Sequence, residues 1–118
     1  MGLFDLTQIA LDKALTGANM RQGVLSNNVA NANTPGFLPS DVDFHSAIEA
    51  AMSSGSAEAS LDGVGFSSQQ SGGPITADGN GVDMDVQMAN LSENALDYEA
   101  LTAVSHARLN MLSTVIGR

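Results

Sequence analysis

Between Gly81 and Gly117 the chain contains neither glycine nor proline, and within that span positions 84, 88, 91, 95, 98, 102, 105, 109, 112 and 116 advance by fours and threes without a break. They carry Met84, Met88, Leu91, Ala95, Tyr98, Thr102, Ser105, Leu109, Leu112 and Ile116, eight apolar side chains and two small hydroxyls. This spacing predicts a heptad-type seam on one face of a helix over 83–117. At ~1.5 Å per residue such a helix is about 50 Å long. Asp83 and Asp85 stand where a cap and a first-turn negative charge are wanted, and Gly117 where a helix can end. A rod this long in a chain of 118 residues must pack along another long helix, from this chain or a neighbour.

A second stripe supplies a candidate. Phe4, Gln8, Leu11, Leu15, Ala18, Gln22, Leu25 and Val29 step by fours and threes as well, and predict a helix over roughly 6–30. Gly17 and Gly23 lie inside it, each costing about 1 kcal/mol relative to Ala, so this helix depends on packing. The simplest arrangement lays the two terminal helices side by side; the alternative is two unrelated core helices of a small bundle. Isolated helices rarely persist in water without packing, so the monomer is expected to be loosely folded at both ends.

The first helix runs into Asn27, Asn28, Asn31 and Asn33, four asparagines within seven residues. Asparagine side chains bond the backbone groups left unpaired at helix ends. Thr34 is pushed towards extended geometry by Pro35, and Pro35-Gly36 suits the central positions of a type II turn, with positive φ at Gly36. The segment predicts a fixed corner. Beyond it, Phe44, Ala47, Ile48 and Ala51 predict a short amphipathic helix over 43–52, capped by Asp41 or Asp43. Of the 21 residues from Ser53 to Gly73, twelve are Ser or Gly, which reads as a flexible insert. Leu61, Val64 and Phe66 are its only apolar anchors of any size, suited to docking as a short hairpin.

Composition excludes several function classes. With a net charge of −9 and only four basic residues, binding to nucleic acid or an anionic membrane surface is not expected. No cysteine is present, which removes disulfides and thiolate metal sites. No apolar run approaches the roughly 18 residues of a membrane span. The first residues lack the basic and apolar regions of a secretory signal, and Leu6 stands where a myristoylation motif needs Ser or Thr. His45 and His106 are the only histidines. His45 has Asp41 and Glu49 near it in sequence, without a motif that completes a site. The run from Gly79 to Asp85 resembles one calcium-binding repeat, but such repeats work in stacks, and Val82 lies where an oxygen ligand belongs. Neither a catalytic centre nor a metal site nor a cofactor is expected. The six methionines, Met84, Met88 and Met111 among them, read as packing residues.

The corner adds a resemblance. Ser26-Asn27-Asn28-Val29-Ala30-Asn31-Ala32-Asn33-Thr34-Pro35-Gly36-Phe37 is similar to the N-terminal signature of the bacterial flagellar rod, hook and hook-filament junction family. Asp41-Val42-Asp43-Phe44 and Gly79-Asn80-Gly81-Val82-Asp83-Met84-Asp85-Val86-Gln87-Met88, followed by Glu93-Asn94 and Tyr98-Glu99-Ala100-Leu101, narrow the match to a component of the proximal rod. Two departures stand out. Leu38-Pro39 follow the aromatic where lysine is common, and Gln87 replaces the usual acidic residue.

The residues themselves predict an all-α, elongated protein with its two terminal helices packed as a coiled-coil-like pair, and the resemblance adds an expected function. It implies polymerisation into the drive shaft that carries torque from rotor to hook. Export would proceed through the flagellar type III apparatus without a cleaved signal, to the periplasmic part of the basal body. The implied partners are further copies, other rod proteins and the rotor-ring/rod junction protein. Three regions follow: 1–37 with the N-terminal helix and corner, 38–82 with the short helix and the insert, and 83–118 with the C-terminal helix. Subunit packing is expected through Leu11, Leu15, Leu25, Val29, Met88, Leu91, Tyr98, Leu109, Leu112 and Ile116. The corner is expected to depend on Asn27, Asn28, Asn31, Thr34, Pro35 and Gly36. Rival readings are an acidic helical adaptor that binds a partner helix without polymerising, and a small metal-dependent enzyme.

Overall fold

The computed structural model describes residues 3–70 and 81–117. Two long helices dominate it, α1 (Leu3–Ala30) and α4 (Met84–Ile116). They run antiparallel, since Asn28 of α1 meets Gln87 of α4 while Ala18 and Gln22 meet Asn94. Between them come β1 (Ser40–Asp41), α2 (Phe44–Met52), α3 (Ala57–Asp62) and β2 (Gln69–Gln70). The strands form one antiparallel pair, Ser40 opposite Gln70 and Asp41 opposite Gln69. The whole is elongated, 63 × 30 × 14 Å. The fold is the all-α, paired-helix architecture the two stripes predict.

The caps follow the sequence. Asp83 Oδ1 accepts from the N–H groups of Asp85 (3.0 Å) and Val86 (3.4 Å), satisfying two of the orphan donors that open α4. Asp43, rather than Asp41, caps α2, its carboxylate accepting from Ser46 N–H (3.1 Å) and Ser46 Oγ (2.7 Å). Those two bonds favour the ionised form and hold the Asp43 pKa below the ordinary carboxylate range.

The core lies where α2 crosses α1. Ala14, Ala18, Val42 and Phe44 are buried together, with Val24, Ile48, Phe66 and Leu101 packed around them. Phe44 reaches α1 because position 17 has no side chain: a Cβ there would lie 2.4 Å from Phe44 Cβ and 2.7 Å from its Cγ. Gly17 thus weakens the helix locally and lets the largest core side chain close onto it. Gly23 has open space around it.

The Ser/Gly-rich stretch is more ordered than its composition predicts. Leu61 is fully buried, α3 packs on α1 and α2, and the anchor takes the form of a helix rather than a hairpin. A single well-buried leucine and the edge-on contact of Phe66 with Phe44 (6.5 Å between ring centroids) supply docking that serines and glycines cannot. Residues 71–73 of the insert, and Gly79 and Asn80 of the candidate calcium run, lie outside the described residues.

Candidate functional site

Two features set this molecule apart from an ordinary helical domain: a corner tied by side-chain amides, and a long helix whose apolar stripe faces away from its partner.

At the corner, α1 ends in a chain of local bonds. Asn31 Nδ2 donates to Asn27 O (2.9 Å) and Asn27 Oδ1 (3.2 Å), and Thr34 Oγ1 donates to Asn31 Oδ1 (3.2 Å). Phe37 N–H donates to Thr34 O (3.2 Å), and Gly36 has φ +78°, as a type II turn requires. Pro35 and Gly36 are exposed. Asn28 behaves differently from the other asparagines. It is 1% exposed, and its carboxamide pairs with both backbone groups of Ser40. It also donates to Gln87 Oε1 (2.9 Å), so one side chain joins α1, β1 and α4.

Arg21 makes a second three-way tie. Its guanidinium grips Asp41 of β1 in bidentate fashion (2.8 and 3.1 Å) and reaches Glu93 of α4 (3.0 Å). The Asp41 carboxylate, more than Glu93, holds the Arg21 pKa above its ordinary value against the opposing effect of burial. The Asp41 arm is the stronger, being bidentate and partly buried, whereas Glu93 is largely solvated and its attraction is screened. Asn94, also buried, donates to Ala18 O and Gln22 Oε1, both at 2.9 Å.

These bonds correct the expected seams. On α1 the buried positions are Leu11, Ala14, Gly17, Ala18, Arg21, Leu25 and Asn28, while Leu15 and Val29 are half-buried and Gln22 is exposed. One apolar column, Leu11-Ala18-Leu25, lies where the sequence puts it; the other falls at 14, 21 and 28 instead of 15, 22 and 29. On α4 the column turned towards α1 is Gln87, Asn94, Leu101 and Arg108, one residue before Met88, Ala95, Thr102 and Leu109. A one-residue displacement rotates a helix face by about 100°. The reason is polar: Arg21, Asn28, Gln87 and Asn94 find hydrogen-bond partners inside the pair, which an apolar count cannot register.

As a result, most of the α4 stripe lies outside. Met88 (51%), Tyr98 (45%), Leu109 (59%) and Ile116 (80%) are exposed, Leu112 only slightly less so, and Leu91 is half-buried. From Leu109 onwards every described residue is exposed. The ten expected packing residues therefore divide between two surfaces. Those of α1 line or flank the contact with α4, and all of those on α4 but Leu91 form an outer apolar face.

Neither histidine builds a site. His45 pairs with Asp97 of α4 (3.0 Å), not with Asp41 or Glu49, and stacks on Phe44; His106 is exposed. An open groove of about 570 Å³ beside Phe44 and Phe66 is edged by Arg21, Asp41, Asp43 and Glu93, whose charges are already spent on the ties and caps above. Among the described residues no three His, Asp or Glu side chains cluster to hold a metal ion, and no helix is long and apolar enough to cross a membrane.

Comparison with known proteins gives this geometry its context. A family described as flagella basal body rod protein matches residues 8–37, most of α1 and the whole corner. The flagellar basal body rod protein FlgB of Bacillus subtilis (strain 168) is 33% identical, across 98% of this chain and 97% of its own length. FlgB of Escherichia coli (strain K12) is 32% identical over 87% of this chain and 88% of its own, and FlgB of Yersinia enterocolitica 30% over 88% of each. The paired helices, the amide-tied corner and this end-to-end similarity place the chain in the FlgB family of flagellar basal body rod proteins, as a structural component of the rod and not an enzyme.

Proposed function

We propose that the chain polymerises, with further copies and with other rod proteins, into the proximal rod, and that the outer face of α4 is its main subunit contact. The observation that carries this reading is the outward apolar stripe Met84, Met88, Tyr98, Leu109, Leu112 and Ile116. Large apolar side chains left in water along some 50 Å of helix are stabilised only when a neighbour covers them. The α1 residues Leu11, Leu15, Leu25 and Val29 act earlier, building the helix pair that presents the stripe. The corner from Asn27 to Gly36 fixes how residues 38–82 leave that pair, so the three regions 1–37, 38–82 and 83–118 act as helix, spacer and helix. In this reading the subunit lies in the periplasmic rod, reaches it through the flagellar type III apparatus without a cleaved signal, meets the rotor-ring/rod junction protein, and passes torque towards the hook. The adaptor alternative is not favoured, because the chain matches rod proteins across 97% and 88% of their own length.

The test separates the two surfaces. Leu25 is fully buried and Leu109 is 59% exposed. Leu25→Asp buries an unpaired charge and should unfold the isolated protein. Leu109→Asp should leave the circular dichroism spectrum and melting temperature of the isolated protein close to those of the parent, yet abolish rod assembly and motility. Full motility with Leu109→Asp would remove the outer face from the assembly contact.

A further inference from the structure

The contact between α1 and α4 is unusual in what it buries. Arg21, Asn28, Gln87 and Asn94 are all at least nine-tenths buried, and they occupy heptad positions that an apolar seam would fill with leucine. We infer that these side chains form a ladder whose role is to specify the register of the two helices, at some expense of stability.

Three rungs cross the interface: Asn28 to Gln87, Gln22 to Asn94, and Arg21 to Glu93. The remaining column residues are Leu11, Ala14, Ala18 and Leu25 on one side, all small or aliphatic, and Leu101 and Arg108 on the other. Leucine and alanine pack about as well one heptad along, so such a pair can slide by seven residues with little change in buried area. The ladder forbids the slide in both directions. Moved one way, Arg21 faces Leu101 and loses Glu93, and Gln87 is left without Asn28, which then faces Asn94 instead. Moved the other way, Asn94 faces Ala14 and loses Gln22. Either shift leaves a buried amide short of a partner it has in the native register, Gln87 in the first case and Asn94 in the second.

The ladder is not optimised for stability. Asn94 Oδ1 is buried with no hydrogen-bond partner among the described residues, a cost that leucine at 94 would avoid. Buried polar groups at heptad positions are well attested as register devices, and this arrangement has that form.

Spin labels read the register directly, and the chain has no cysteine of its own to interfere. Labels at Asn19→Cys and Ala103→Cys sit on exposed positions of α1 and α4, away from the rungs. In the otherwise unsubstituted full-length monomer, pulsed electron resonance should give one narrow distance. In the fourfold variant Gln22→Leu, Gln87→Leu, Asn94→Leu, Glu93→Ala, which leaves Asn28 bonded to Ser40, a second population should appear, displaced by up to about 10 Å, the rise of one heptad. Should that variant precipitate, the pair Gln22→Leu with Asn94→Leu removes one rung and should broaden the distribution. A single unshifted distance in whichever variant is soluble, or two distances in the unsubstituted chain, overturns the inference.

Discussion

The carboxamide of Asn28 accepts from Ser40 N–H at 3.0 Å and donates to Ser40 O at 2.6 Å, matching the backbone of β1 group for group as a neighbouring strand would. The corner is thus closed by a side chain imitating a β-bridge. Asn28→Ala would leave both groups of Ser40, and Gln87 across the interface, short of a partner. The expected loss is about 2–3 kcal/mol, read as a lower urea midpoint at unchanged slope. Asn33→Ala, exposed and outside this network, should change stability by less than about 0.5 kcal/mol.

The two glycines of α1 should respond in opposite directions. Gly17→Ala gains helix propensity but drives a methyl group into Phe44, and a net destabilisation of roughly 1–3 kcal/mol is expected. Gly23→Ala meets open space and should stabilise by up to about 1 kcal/mol. Thermal unfolding of the two variants side by side decides it; equal effects would mean that α2 does not close onto α1 at Gly17.

Gly36 holds the only positive φ among the described residues, and a β-branched side chain resists that conformation strongly. Gly36→Val should therefore block rod assembly. Ser56→Val, at an exposed position whose hydroxyl makes no capping bond to α3, should be tolerated. Motility on soft agar, with secreted and assembled protein compared by immunoblot, distinguishes the two.

The pH response should be local. Ser46 holds the Asp43 pKa below its unfolded value, which is about 3.9. A depressed carboxylate contributes stability that is present above the unfolded pKa and lost as pH falls through the folded one. The start of α2 should therefore fray below about pH 4, followed by amide exchange at Ala47 and Ile48. Asp43→Asn, which keeps a capping oxygen without the charge, should remove that pH dependence.

Exchange in the isolated chain should be graded along α4. The expectation of loosely folded ends holds only where nothing covers the helix. Leu11, Ala18 and Leu25 are buried within the chain itself, so α1 and residues 87–101 should be protected, while 109–116, exposed throughout, should exchange fastest. Uniformly weak protection in a verified monomer would mean that the helix pair forms only on assembly.

Both long helices, the caps at Asp43 and Asp83, and the turn at Gly36 were legible because each depends on local chemistry or a simple period. What escaped was the orientation of the helices. Arg21, Asn28, Gln87 and Asn94 look like surface residues when only apolar spacing is counted, and their partners lie 12 to 76 positions away. The signal that was available was the concentration of amides, Asn27, Asn28, Asn31 and Asn33, close to the end of the first helix. An uncharged amide can be buried in a helix contact at far lower cost than a carboxylate. Leu61 shows the reverse error: one leucine among serines and glycines sufficed to dock a helix, although average composition pointed to an unstructured stretch.

The dimensions of the molecule carry a mechanical consequence. At 14 Å the thin axis scarcely exceeds the 10–12 Å width of a single helix with its side chains, against 30 Å across and 63 Å along. The protein is a slat. A slat flexes readily through its thickness, resists bending in its own plane, and is stiffest under load along its length, where the hydrogen bonds of α1 and α4 run close to the line of force. A single slat therefore has little strength of its own against twisting, and in the proposed assembly that strength would come from the neighbours that cover its exposed face.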